Sequence, residues 1–286
     1  MRTGWLLLSM TLGLPAHAGP SPQVEARIEA VPAPRVVTTA ETSAPGEAAR
    51  DGAISPPAVS ATGHAIQPPG QFHAGETIAL DGEAWLALRI DMDDAVLLPA
   101  TMRVAVVEDP LLDAPGERSG RTVSSTPADD AIRMFLRGPA LVAGVLEQAR
   151  VDMTDGDGRY RFERALAFRD ARYRLRSECT PRGGAPVAGQ RQFDCMIVLR
   201  ETGTRHEQVL VRMDGYANAP GEHAWLGDDA APALLFAGDL DRDGELDLLF
   251  DTTDHYNVAR PALFLSSHAG PGELLREVAR HEASGC

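Results

Sequence analysis

From residue 72 onward, apolar residues come in short runs separated by turn-forming residues. The stretch "ETIALDGEAWLALRID" holds two such runs split by Asp81-Gly82, a hairpin signal. "TMRVAVVED" alternates over Met102 to Val107 and stops at Asp109-Pro110. "GRYRFERALAFRDARYRLRSEC" predicts two strands, marked first by Tyr160, Phe162, Ala165 and Phe168 and then by Tyr173 and Leu175. "FDCMIVLRE" and "QVLVRMDGY" predict a further pair around Thr202-Gly203-Thr204. "APALLFAGD" and "ELDLLFD" flank an acidic loop, and "PALFLSS" follows. Short runs at this spacing predict a mainly β fold of antiparallel sheets, sandwich-like or a partial propeller. Two segments allow a helix. Ala128–Leu136 has acids at its start and is ended by Gly138-Pro139. Glu273–His281 fits a short helix or a last strand, and Gly272 with the placement of Val278 favours the strand.

The first 71 residues are different. Arg2, the apolar stretch Trp5–Leu14 and the small-residue site Ala16-His17-Ala18 predict a secretory signal peptide over residues 1–18. Residues 19–71 are rich in Pro, Ala, Ser and Thr and carry few aromatics, so they predict a disordered linker ahead of a β domain at 72–286. No later apolar run reaches membrane-spanning length, and export places the chain in the periplasm or outside the cell.

Charge narrows the partners. The net charge is −14 and all 27 basic residues are arginine. So acidic a chain has no electrostatic footprint for nucleic acid or for an anionic membrane surface. In an oxidising compartment two of the three cysteines can pair. Cys179 and Cys195 lie at the outer ends of a predicted strand pair, so they are the expected disulfide, with Cys286 left over unless the tail folds back onto one of them.

The acidic loop carries the most specific chemistry. In "FAGDLDRDGELDLLFD", Asp239, Asp241 and Asp243 stand at positions 1, 3 and 5 of a calcium loop. Gly244 gives the sharp turn, Glu245 supplies a backbone carbonyl, and Asp247 adds a further carboxylate. Clustered carboxylates repel unless a cation holds them, and calcium takes six to eight hard oxygens. Phe250 stands where an EF-hand has its bidentate glutamate, and Leu246, Leu248 and Phe250 alternate as in a strand. The pattern is therefore strand–loop–strand. "GDLDRDGELDLLF" resembles the FG-GAP or VCBS-type repeat of integrin-like propeller blades, with Gly238, Asp239, Asp241, Asp243, Gly244 and Asp247 matching. The resemblance covers about fifteen residues within a unit at 232–268, in one good copy. It implies structural Ca2+ held between two strands of a blade.

Other clusters admit sharper and blander readings. Asp254 and His255, with Ser266 or Ser267 as a distant hydroxyl, would suit a hydrolase, but a polar turn between strands, with His255 braced by its neighbours, is the simpler account. Asp91, Asp93 and Asp94 would make a second cation site or a solvated strand end. Trp225 with Asp228 and Asp229 would form a carbohydrate-stacking edge or a core tryptophan beside a turn. The expectation is an exported, calcium-stabilised, non-enzymatic β protein, a periplasmic or surface binding module. The alternative is a secreted hydrolase built on Asp254 and His255.

Overall fold

The computed structural model describes residues 62–91, 94–153 and 161–284. All of them fall within the compact unit Gly52–Cys286. The predicted signal peptide, most of the predicted linker, Asp93 and Cys286 lie outside the described residues. The fold is all β and antiparallel, with no helix among the described residues.

The first sheet is built from β1 (Ala65–Gln67), β2 (Gly70–Phe72), β3 (Ala84–Ile90), β4 (Ala95–Val107), β5 (Gly120–Thr126), β6 (Ile132–Arg137) and β7 (Gly144–Val145). Its order is β1-β6-β3-β4-β5-β2, with β7 also on β4. β8 (Glu147–Gln148) leaves for another sheet. The second sheet takes β9 (Arg150–Met153), β10 (Glu163–Phe168), β11 (Ala171–Pro181), β12 (Arg191–Glu201), β13 (Glu207–Ala217) and β14 (Trp225–Leu226), in sequence order. The third contains β15 (Ala233–Asp239), β16 (Asp247–Asp251), β18 (Pro261–Leu265) and β19 (Arg276–Arg280) as a meander, with β8 on the far side of β15. β17 (Val258–Ala259) and β20 (Ala283–Ser284) pair separately.

The third sheet is the middle layer. Leu248, Phe250, Ala262 and Phe264 pack with Phe162, Leu175, Ile197 and Leu199 of the second sheet. From the opposite face Leu249, Leu263, Leu265 and Val278 pack with Ile66, Leu88, Leu97 and Leu136 of the first. Burial on both faces explains why "DLLFD" and "PALFL" are nearly continuous apolar runs while most other strands alternate. A third cluster, including Trp85, Met102 and Phe135, fills the other face of the first sheet.

Two boundaries differ from the sequence expectation. The folded region is under way by Thr62, not residue 72: Thr62 Oγ1 donates to the Val278 carbonyl at 2.9 Å, and β1 is buried along its length. A Pro-flanked triplet gives no periodicity, and only its pairing with β6 makes it a strand. The helix allowed over Ala128–Leu136 is instead a turn followed by β6. Asp129 accepts from the Ala131 amide at 2.8 Å, and β6 then runs between β1 and β3. Met134 and Leu136 enter one core cluster while Ile132 and Phe135 enter another, so both faces of this segment are buried. A surface helix would bury one stripe only, and sheet pairing overrides the local preference. Glu273–His281 resolves in favour of a strand, β19.

Candidate metal centre

The acidic loop joins β15 to β16, and the pairing Gly238↔Asp247 closes it. Arg242 (φ 67°) and Gly244 (φ 92°) turn the backbone through left-handed conformations. Gly238 serves a different need: a Cβ there would stand 2.2 Å from the Glu147 carbonyl, so the close approach of β8 to β15 requires glycine.

Asp239 and Asp247 are buried at the mouths of their strands, and Asp241 is half-buried between them. Each offers a carboxylate oxygen, and the three oxygens lie within 4.8 Å of one another. Asp247 is fully buried. One of its oxygens accepts from the Leu240 amide at 2.8 Å; the other accepts from the Ser266 amide at 2.9 Å and the Ser266 hydroxyl at 3.0 Å. Asp239 Oδ2 accepts from the Gly244 amide at 3.0 Å, while its Oδ1 is buried with no hydrogen-bond partner. Asp241 accepts from the Asp243 amide at 3.3 Å and from the Ser267 hydroxyl. Asp243 is exposed and accepts from the Glu245 amide at 2.8 Å; its other oxygen lies 2.9 Å from the Ser266 hydroxyl, whose one proton is shared between Asp243 and Asp247.

The electrostatics follow from this packing. Burial, reinforced by the neighbouring charge of Asp241, pushes the Asp247 carboxyl up to about 7 against the pull of Ser266 and the Leu240 amide. Burial also raises Asp239, with Asp243 and Asp241 adding repulsion and the Gly244 amide opposing them. Among the described residues one ion pair reaches the cluster: the Arg169 guanidinium lies 3.6 Å from Asp239 Oδ2. It is shared with Glu147 at 2.7 Å and with the Gly244 carbonyl. One guanidinium offsets part of one charge and leaves the converging faces of Asp241 and Asp247 opposed.

The loop also ties the three sheets together. Arg169 sits in the β10–β11 turn of the second sheet, and Arg242 donates to the carbonyls of Ala143 and Val145 at the edge of the first, each at 3.3 Å. Ser266 and Ser267 arrive from the end of β18 in the loop's own sheet.

Of the five residues expected at the site, Asp239, Asp241 and Asp247 converge and Asp243 stands at the rim. The Glu245 side chain is exposed and lines an adjacent cleft with Tyr173 and Glu201. Ser266 and Ser267, weighed as hydroxyls for a triad, belong to this loop instead. Arg169 carried no sequence signal, because only the tertiary fold brings it here; Arg242 belongs to the loop, and only the fold shows that it reaches Ala143 and Val145.

Asp254 pairs with Arg260 at 2.5 Å, and His255 Nε2 faces Asp228 at 3.2 Å, in a polar cleft of about 380 Å³. The Asn257 amide donates to His255 Nδ1 at 3.0 Å, so the ring is engaged from both sides, by Asn257 and by Asp228. Asp91 pairs with Arg89 at 3.0 Å at a strand end. Trp225 is half-buried and stacks on Tyr216, with ring centroids 6.3 Å apart.

The register sets Cys179 opposite Cys195, and the two form a disulfide with Cα atoms 4.1 Å apart. Comparison of the chain with protein-family models, with curated proteins and with solved structures finds no match.

Proposed function

We propose that the chain is an exported, non-enzymatic β protein whose acidic loop holds a structural calcium ion, and that the ion locks three sheets at one point. The observation that carries the reading is the convergence of one carboxylate oxygen from each of Asp239, Asp241 and a fully buried Asp247 within 4.8 Å of one another, with Asp239 Oδ1 buried and without a hydrogen-bond partner. Such an orphaned acceptor among like charges is costly unless a cation meets it. The donors are all hard oxygens, the set that suits calcium. The Asp-x-Asp-x-Asp-Gly spacing and its resemblance to FG-GAP or VCBS repeats favour calcium over smaller ions. A bound ion would be held by Asp239, Asp241 and Asp247, with Asp243 at the rim. The ion contributes neutralisation and rigidity. The chain's own part is to fix the carboxylates through Ser266, Ser267 and the loop amides.

Export is supported by the signal-peptide pattern at the N-terminus and by a disulfide that suits an oxidising compartment. The engaged ring of His255 weighs against the hydrolase alternative. Calorimetric titration of the chelator-stripped protein tests the site. The expected result is one calcium bound per chain, and none in Asp241→Asn. Heat identical to buffer at millimolar calcium would refute it.

A further inference from the structure

The outward face of the second sheet carries a different chemistry. Tyr173, Leu175 and Leu199 point inward and are buried; the alternate positions hold Arg172, Arg174, Arg176 and Arg200. The register sets Arg174 opposite Arg200, and Arg200 opposite Glu207. One rung across three strands therefore reads Arg, Arg, Glu. Like charges directly opposite on an antiparallel pair destabilise it, so this rung is held against its own repulsion.

These residues open on a cleft of about 490 Å³ lined by Arg174, Arg176, Arg200, Arg205 and the turn at Thr202–Thr204, with Glu201 at its edge. Four guanidiniums in one cleft run against the character of a chain whose net charge is −14. Three of the four are ion-paired: Arg174 to Glu163 at 3.3 Å, Arg176 to Glu178 at 2.6 Å and Arg200 to Glu207 at 2.5 Å. Each guanidinium has five donors, more than one carboxylate takes up. Arg205 is exposed and makes no ion pair among the described residues. Glu201 is drawn aside, accepting from the Thr204 hydroxyl at 2.8 Å and facing His206 at 3.6 Å.

We propose that this cleft binds a tetrahedral oxyanion, the phosphate or sulfate group of an ester, bridged between Arg174 and Arg200 and closed by Arg205. Arginine forks match the oxygens of such an anion two at a time, and its negative charge offsets the repulsion within the rung, most of all for a phosphate monoester, which is a dianion. The site is independent of the acidic loop.

The test is calorimetric titration of the full chain with inorganic sulfate, which stays soluble beside calcium, followed by glycerol phosphate and acetate. All runs are at low and equal ionic strength. The expected result is about one sulfate or phosphate ester per chain, with acetate far weaker. Arg200→Gln should weaken binding about tenfold, the scale of one charge-assisted contact. Arg205→Gln, at an exposed position with no ion pair among the described residues, should weaken it several-fold. Unchanged affinity in both variants, or no heat with either anion at millimolar concentration, would show that the arginines serve only their glutamate partners.

Discussion

Ser266 donates twice to a single carboxylate oxygen of Asp247, from its amide at 2.9 Å and its hydroxyl at 3.0 Å. The contact joins the end of β18 to the start of β16, and the same hydroxyl reaches Asp243 at 2.9 Å. Ser266→Ala keeps the amide and removes the hydroxyl from both acids. It should cost about 1 kcal/mol, the usual net worth of one such bond. Urea unfolding of both proteins in calcium would show this as a lower midpoint with unchanged slope.

Gly238 is the tightest backbone approach beside the loop. A Cβ there meets the Glu147 carbonyl at 2.2 Å and the Phe236 ring at 2.8 Å, and strand backbone gives way less easily than the end of a side chain. Gly238→Ala should destabilise by about 2–3 kcal/mol, the range of overpacked sites. It should also speed hydrogen exchange at the Ala149 amide, which donates to Ala237 across the same junction at 2.9 Å. Ordinary protection at Ala149 would mean that β8 tolerates the methyl group.

The Cys179–Cys195 bridge closes a loop with a sequence separation of 16. Replacing both cysteines by alanine should cost roughly 3 kcal/mol in the chain-entropy account, against a background in which β11 and β12 already pair on both sides of the bridge. Denaturant melts of the double variant check the figure. Loss of less than about 1 kcal/mol would show that strand pairing alone closes the loop.

Acid should work against calcium at this site. The Asp247 carboxyl is raised from 3.8 to about 7. A carboxyl raised on folding supports the fold when protonated: its contribution is complete below about 3.8 and is lost as pH rises through about 7. Without calcium, Asp247 alone should weaken the fold by up to roughly 4 kcal/mol across that window. Calcium binds the ionised form and removes the penalty, so the stabilisation by calcium should grow with pH. His64 and His281, lowered chiefly by burial, lose stability in the opposite direction, as pH falls below the ordinary histidine range. His281 faces Glu76 and Glu282, away from the loop, and titrates with and without calcium, so it cancels in the difference between the two melts; His64 feels the charge of Asp241 and remains in it. A calcium increment as large at about pH 5 as at about pH 8 would contradict this coupling.

The strands were largely legible because their signals are local. The alternation in "RYRLRSEC" and "FDCMIVLRE", with a turn between, defines both the pair and the disulfide. The loop was legible for the same reason, since its carboxylates stand within nine residues. What was not legible depends on distant partners. β1 is a strand because β6 pairs with it, and β6 is a strand because it fills a gap between β1 and β3. Nothing near Ser267 in sequence announces that its hydroxyl meets Asp241, and Arg169 reaches Gly244 across 75 positions of chain. Asp254 and His255 are adjacent in the turn between β16 and β17 but face different partners, the carboxylate Arg260 and the ring Asp228, which no local pattern shows.

The most direct test of a structural cation is the melting temperature of the full chain at neutral pH in millimolar calcium, in magnesium and in chelator, beside Asp241→Ala. An ion that binds only the folded loop stabilises by RT ln(1 + [L]/Kd), about 1 kcal/mol when free calcium is a few times Kd. For a chain of this size that is about 2–4 °C. The account predicts such a rise in calcium, a smaller one in magnesium, and none in Asp241→Ala. Equal wild-type melting temperatures in calcium and in chelator would contradict it.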